Sequence, residues 1–143
     1  MSTEKLQLID DLVLGNDICV LATSDGFKPH ASLMHYFVDH AAMKFYFLSL
    51  EGSRKSRNLI KCPHVSMVID RRSEGKAVTI EGVHSPVQRR QTVEAITHLF
   101  VLRHPQLKEF AERPDTRLIR IEARGAQLVD IAGESFFTKF QNS

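Results

Sequence analysis

The chemistry in this chain concentrates in one stretch, Leu48 to Leu59, which reads LSLEGSRKSRNL. A turn at Gly52 precedes a helix predicted to start at Ser53, a residue type whose side-chain oxygen accepts from the free N–H groups of a helix start. Arg54, Lys55 and Arg57 follow in the first turn. That end of a helix is already positive, because its N–H groups lack partners and the peptide dipoles align. Each cation placed there should cost a few tenths to about 1 kcal/mol. The arrangement suits an anion. Backbone amides, a serine hydroxyl, an arginine fork and a lysine charge together hold a phosphate well. Taken alone, the stretch describes a solvated basic helix start equally well; the neighbouring strands tip the balance toward the phosphate.

Those neighbours are the elements that must position the cations. Ile18 to Thr23 (ICVLAT) is a strand-type run, and Ser24-Asp25-Gly26 is a turn. Lys28 to Asp39 (KPHASLMHYFVD) is predicted as one strand with no cleanly polar face, so both faces should meet something. Met43 to Leu50 (MKFYFLSL) returns as a third strand, and Pro63 ends the Ser53 helix. Val65 to Asp70 and Lys76 to Val87 are the fourth and fifth strands. In the fifth, Val78, Ile80 and Val83 are inward candidates and Gly82 marks a bulge or close approach. Leu118 to Ile131 is a long last strand with a bend at Gly125.

Helices complete the order. Leu6, Ile9, Leu12 and Val13 recur at helical spacing between a Thr3 cap and a Gly15 stop. Val93, Ile96, Phe100 and Val101 form a core stripe on a helix from Gln88 to Arg103, and Pro105 opens a shorter piece through Ala111. Hairpins dominate. The expected fold is therefore mainly β (α+β): a six-stranded, mostly antiparallel split barrel with flanking helices. The tail carries Phe136, Phe137 and Phe140, an aromatic density that predicts docking, on another subunit among the options.

Composition bounds the function. A chain of 143 residues with 43% hydrophobic content reads as one domain, 1–143, with a real core. A net charge of +2, and a basic run at 54–61 without interleaved aromatics, argue against nucleic acid. Cys19 and Cys62 form no CxxC pair and no metal-ligand spacing with histidine, so no metal is expected and both should be buried thiols of a reducing compartment. Residues 1–15 are amphipathic and lack a continuous apolar signal region, and no apolar run approaches a membrane span. The expectation is a soluble, cytoplasmic protein.

With these residues in view, the chain resembles the FMN-binding split β-barrel proteins, the pyridoxamine 5′-phosphate oxidase-like family. Four segments carry the likeness in the family's order: VLATSDGFKPHAS, FYFLS, GSRKSRNL and PHVSMVID. They cover Ile18 to Pro86, with a weaker echo in the last strand. GSRK alone is a weak signal; the four in register are specific. The resemblance implies a homodimer with FMN in grooves at the subunit interface. It implies that Ser53, Arg54 and Lys55 hold the FMN phosphate, with Arg57 and Asn58 as further phosphate or ribityl contacts. It places the backbone of His30, Ala31, Ser32, Leu33 and Met34 along the isoalloxazine edge, and Tyr46, Phe47 and Ser49 on the ribityl side. His30 and His35 lie near the same edge, where either could serve as a hydrogen-bond donor or proton source; an ordinary half-buried strand histidine is the simpler description of each.

The chain also departs from the family's namesake enzyme. Ala77 stands where that oxidase has a strand-five glutamine, the turn between FYFLS and SRK is longer, and the chain ends in ESFFTKFQNS without an Arg-x-His-type substrate motif. FMN binding is therefore expected, and oxidation of pyridoxamine phosphate is not. The expected function is an FMN-dependent oxidoreductase acting on an unknown small substrate, with the cofactor supplying the redox chemistry. Three alternatives stand beside it: haem binding or handling, the deazaflavin coenzyme F420 on the same basic turn, and a non-catalytic flavin-binding module.

Overall fold

The computed structural model describes residues 2–140 apart from 131 and 134. Its first hairpin forms where the sequence places a turn. Strands β1 (Ile18–Ser24) and β2 (Pro29–His35) pair antiparallel, Ser24 opposite Pro29 and Ile18 opposite His35. Asp25 makes the turn: its carboxylate accepts from the amides of Phe27 and Lys28, both at 2.8 Å. Gly26 takes a φ of 108°, which a side chain would disfavour. Those two amides, and then the positive charges of Lys61 and Arg54, hold the Asp25 carboxyl below the usual carboxylate range.

The predicted strand from Lys28 to Asp39 is broken. Tyr36 interrupts it, and the chain resumes as the three-residue β3 (Phe37–Asp39). The Tyr36 amide donates to Asp17 O at 2.9 Å, and its hydroxyl donates to Val13 O at 2.5 Å. This break closes the fold. The remaining strands are β4 (Lys44–Leu50), β5 (His64–Arg71), β6 (Lys76–His84), β7 (Thr116–Asp130) and β8 (Ser135–Lys139). The sheet runs β2-β1-β5-β6-β7-β4-β3, with β8 paired to β7 off that path. β2 and β3 lie at opposite ends of the path, yet only Tyr36 separates them in sequence. The sheet must therefore curl until its ends meet, with no pairing across the seam: a split barrel.

Eight strands form where six were expected. One extra comes from the break at Tyr36. The other comes from the tail, which pairs from Ser135 opposite Val129 to Lys139 opposite Gly125. Phe136 and Phe140 pack on the barrel core of their own chain, while Phe137 remains 71% exposed.

The interior is filled by Leu21, Phe45, Phe47, Met67, Ile69, Val78, Ile80 and Ile121, all fully buried. Each such side chain contributes about 1.5–3 kcal/mol by leaving water. Helix α1 (Ser2–Leu14) adds Ile9, Leu12 and Val13 to this core. It starts before Thr3, which sits in the first turn rather than at the cap.

One irregularity explains Gly82. Gly82 pairs with Ala123 and Glu81 with Gly125, so Arg124 is the extra residue of a bulge on β7. The bulge flips the parity of β7: Ile119, Ile121 and Ala123 are buried before it, Ala126 and Leu128 after it. A Cβ on Gly82 would stand 2.5 Å from Ile121 Cγ2 and 2.9 Å from the Glu122 carbonyl oxygen. In β6 the inward positions are therefore 78, 80 and 82, and Val83, expected inside, is only half-buried.

A helical arm joins β6 to β7. It comprises α3 (Arg90–Arg103), a 3-10 turn at Pro105–Leu107 and α4 (Lys108–Ala111). It lies not in the barrel but across the outer side of β4 and β7. Of the predicted stripe only Phe100 is fully buried; Val93, Ile96 and Val101 are half-buried. Arg120 pins the approach to the arm, donating to Ser85 O at 2.8 Å and Ser85 Oγ at 3.1 Å. Among the described residues no helix is long and apolar enough to cross a membrane, and no group of three or more His, Cys, Asp or Glu is placed to hold a metal. Both cysteines are free. Cys19 is buried, which pushes its thiol up to about 12, whereas Cys62, also expected buried, is half-exposed.

Candidate functional site

Helix α2 (Arg54–Lys61) begins where β4 ends, and three serines tie the two together. Ser53 is the N-cap, with extended backbone, and its Oγ accepts from the Ser56 amide at 3.3 Å. Ser49, Ser53 and Ser56 hydroxyls form a closed triangle with edges of 2.8, 3.1 and 3.1 Å. The Ser56 hydroxyl also lies 2.8 Å from Leu50 O, an acceptor that competes with Ser49 Oγ for its single proton. The helix start is thus held rigidly on the strand end. The amides of Ser56 and Arg57 are used, by Ser53 Oγ and Ser53 O, but those of Arg54 and Lys55 find no partner among the described residues.

The cations there are equally uncommitted. No acid lies in the first turn, and no ion pair joins Arg54, Lys55 or Arg57 to a carboxylate among the described residues. Burial alone depresses the Lys55 ammonium below its ordinary range. Partly desolvating an unpaired lysine is unfavourable, and a bound dianion would reverse the effect. Two free amides, a cap serine and a half-buried lysine are the donor set a phosphate monoester needs. The residues present therefore fit the phosphate end of FMN.

A groove of about 290 Å³ runs from this helix start along the seam between β2 and β4. Ser49, Ser53 and Lys55 form its polar end; Leu33, Met34 and His35 of β2 form one wall; Phe100, Leu107 and Phe110 of the arm roof it. Of the expected contacts, the structure brings Leu33, Met34, Ser49, Ser53 and Lys55 together here. Arg54 and Arg57 sit on the same helix start but are exposed and do not line the groove. His30, Ala31 and Ser32 lie further along β2. Ser32 carries the only buried side-chain polar atom without a hydrogen bond among the described residues, its Oγ. Three residues point elsewhere. Phe47 is inside the barrel core and Tyr46 packs against Phe37 of β3, so neither side chain lines the groove. Asn58 is buried at the far end of α2, where its amide donates to Thr23 Oγ1 at 3.1 Å. It anchors the helix to β1.

His35 is the histidine on the groove wall. Its ring meets that of His104 edge-on at 5.1 Å. His104 caps α3, is fully buried against Phe100, and donates from Nε2 to the Tyr36 carbonyl at 2.7 Å. That carbonyl can only accept, which fixes the proton on Nε2. Burial first, and His104 second, hold His35 below the usual imidazole range; the Asp17 carboxylate opposes them. His35 is thus a neutral donor-acceptor at the groove near neutral pH.

Two parts of the site went unread in the sequence. Ser56 had a signal, since Ser53 and Ser56 are three apart and a helix puts such residues on one face. The arm residues Phe100, Leu107 and Phe110 had none, because an apolar stripe looks the same whether it packs on a core or roofs a groove.

A curled antiparallel sheet whose ends meet at an unpaired seam, with flanking helices, defines a split barrel. Residues 6–130 match the pyridoxamine 5′-phosphate oxidase family, and the chain belongs to it. No curated protein matches the chain by sequence. Solved structures of the same fold include the General Stress Protein 26 of Bacillus anthracis, 22% identical, with a TM-score of 0.72 over 92% of this chain and 95% of that one. HutZ, the haem storage protein of Vibrio cholerae, is 19% identical, with a TM-score of 0.70 over 93% and 92%. The haem-binding protein of Mycobacterium smegmatis is 17% identical, with a TM-score of 0.77 over 90% of this chain but 55% of its own. At these identities the likeness is one of fold.

Proposed function

We propose that this chain binds FMN, with the phosphate at the start of α2 and the ring system in the groove roofed by the arm, and that it works as an oxidoreductase on a small substrate. The observation that carries this is the helix start itself: three cations and two free amides, with no acid in the first turn and no ion pair to these cations among the described residues. When bound, FMN supplies hydride or single-electron chemistry. The chain's own residues do the rest. Ser53 and the Arg54 and Lys55 amides orient the phosphate, Arg54 and Arg57 add positive charge beside it, and Phe100, Leu107 and Phe110 exclude water from above. His35 stands where it can donate to, or take a proton from, a group held in the groove. The test is the visible spectrum of the purified protein and chromatography of what heat releases. A two-banded flavin spectrum with FMN released supports the reading; a colourless protein that does not take up added FMN ends it. Turnover with a reduced nicotinamide then separates an enzyme from a flavin carrier.

The working unit we propose is a homodimer with the groove at its interface. One row of residues crosses the outer sheet face in register: Leu33, Val20, Val68, Thr79, Gln127, Phe137. It is apolar over β2, β1 and β5 and again at β8, and Leu33 is 72% exposed. Large exposed apolar patches mark contact surfaces. Leu33 is also on the groove wall, so a subunit covering this face would complete the site. Light scattering should give a dimer mass, and Leu33→Asp should give a monomer with weakened flavin binding. A monomeric wild type with flavin bound rules the dimer out.

Haem is the second reading. It is favoured by His35 on an otherwise apolar wall, and by the two haem proteins that share the fold. A Soret band in the purified protein, lost in His35→Ala, would replace FMN with haem.

A further inference from the structure

A cavity larger than the groove lies beside it. Leu48 forms part of the groove wall and also part of the wall of a second chamber, of about 990 Å³, between α3, α4 and the start of β7. This size lies within the usual range of small-molecule sites. Its inner surface is apolar, from Leu48, Val93, Val101 and Leu118. Val93 and Val101 belong to the arm's core stripe and are only half-buried, so the stripe lacks a partner over this length. The rim is cationic. Arg90, Lys108 and Arg117 come from three separate elements and converge on it, against two carboxylates, Glu94 and Glu112, with His98 beside them.

The ion pairs at this rim are loose. Arg90 meets Glu94 at 3.2 Å and Arg117 meets Glu51 at 3.2 Å, all four side chains largely in water. Such pairs exchange partners at little cost. Lys108 makes no ion pair among the described residues. A ligand that placed rings on the valine and leucine wall and an acid group at the rim would satisfy both halves.

We propose that this chamber is a second ligand site, which takes a small aromatic anion: one or two rings carrying a carboxylate or sulfonate. It goes beyond the flavin reading and does not rest on it, because Leu48 stands between the two spaces. The chamber should fill whether or not the groove is loaded.

The test is a fluorescence titration of the full chain with anilinonaphthalene sulfonate, run in parallel with its uncharged analogue phenylnaphthylamine. The sulfonate should bind at one saturable site, be displaced by an aromatic carboxylate, and bind tighter than the analogue. Thr97→Phe, which fills the chamber, and Lys108→Glu, which reverses its uncommitted cation, should each weaken it about tenfold or more while FMN uptake is unchanged. Lys108 is exposed, so Lys108→Glu remains decisive if Thr97→Phe does not fold. No saturable binding to the wild type overturns the proposal. So does equal affinity in both variants, and so does loss of the probe in Leu33→Asp instead, which would put it on the outer sheet face.

Discussion

The two faces of β4 bury their residues almost equally and use the burial differently. Inward, Phe45 and Phe47 are packed on all sides by the barrel. Outward, Tyr46 and Leu48 are also buried, yet Leu48 is covered by the arm, which leaves a groove on one side of it and a chamber on the other. Burial alone therefore does not distinguish core from site. What distinguishes them is whether the covering element is a neighbouring strand, locked by backbone pairing, or a helix that touches the sheet at a few points. Changes on the open side should move binding and spare stability; changes on the closed side should do the reverse.

The largest effect should come from the open side. Replacing Arg54 and Lys55 together with Ala should cost about 1.5–3 kcal/mol of FMN affinity for each charge-assisted bond lost. The melting temperature of the free protein should hold or rise slightly, because uncompensated cations at a helix start are removed. Unchanged affinity by calorimetry would break the assignment of the helix start. Next, Phe47→Ala should lose about 3–5 kcal/mol in denaturant unfolding, with FMN affinity intact in the fraction that folds. If Leu48→Ala costs as much stability as Phe47→Ala, the two faces are not different in kind.

A smaller change sharpens the boundary. His104→Ala leaves the Tyr36 carbonyl buried without its donor, worth about 1–3 kcal/mol. Hydrogen exchange should quicken in α3 and α4 and stay slow in β5 and β6. Acid should act in the same place. Burial, and then His104, depress His35; burial, and then Arg120, depress His84 against an opposing bond to Leu59. The unfolded chain therefore takes up these protons at higher pH than the folded one. The stability involved is complete above the ordinary imidazole range and is lost as pH falls through it. Melting temperature should decline between about pH 7.5 and about pH 5.5, less steeply in His35→Gln. The smallest effect belongs to the exposed Arg103–Asp17 pair, 2.5 Å long between half-exposed side chains; Arg103→Ala should cost about 1 kcal/mol or less.

How much of this was legible in the sequence differs along the chain. Strand-type apolar runs bounded by turns exposed β1 and β4, whereas β5 showed its alternation directly and β6 and β7 read as strands from their inward apolar positions and length. The Ser53 cap was legible because its chemistry is local. The break at Tyr36 was not, since its cause is a hydroxyl reaching Val13 from 23 residues away. Gly82 announced a bulge, but the extra residue sits on the partner strand, at Arg124, beside the Gly125 at which a bend was expected. Asn58 read as a site residue from its place in GSRKSRNL, yet the turn of the helix carries it to Thr23. Tyr46 and Phe47 were offered together, but as strand neighbours their side chains leave opposite faces, Phe47 into the barrel core and Tyr46 outward against Phe37.

β7 has one further consequence. One of its edges is shared end to end: β4 takes Thr116 to Glu122 and β8 takes Gly125 to Val129. β8 is thus the removable half of a seal. Truncating the chain before Ser135 would bare five rungs of unpaired backbone on β7, an open template for another molecule's strand. A shortened version should express as soluble aggregates or strand-swapped pairs, and an affinity tag belongs at the other terminus.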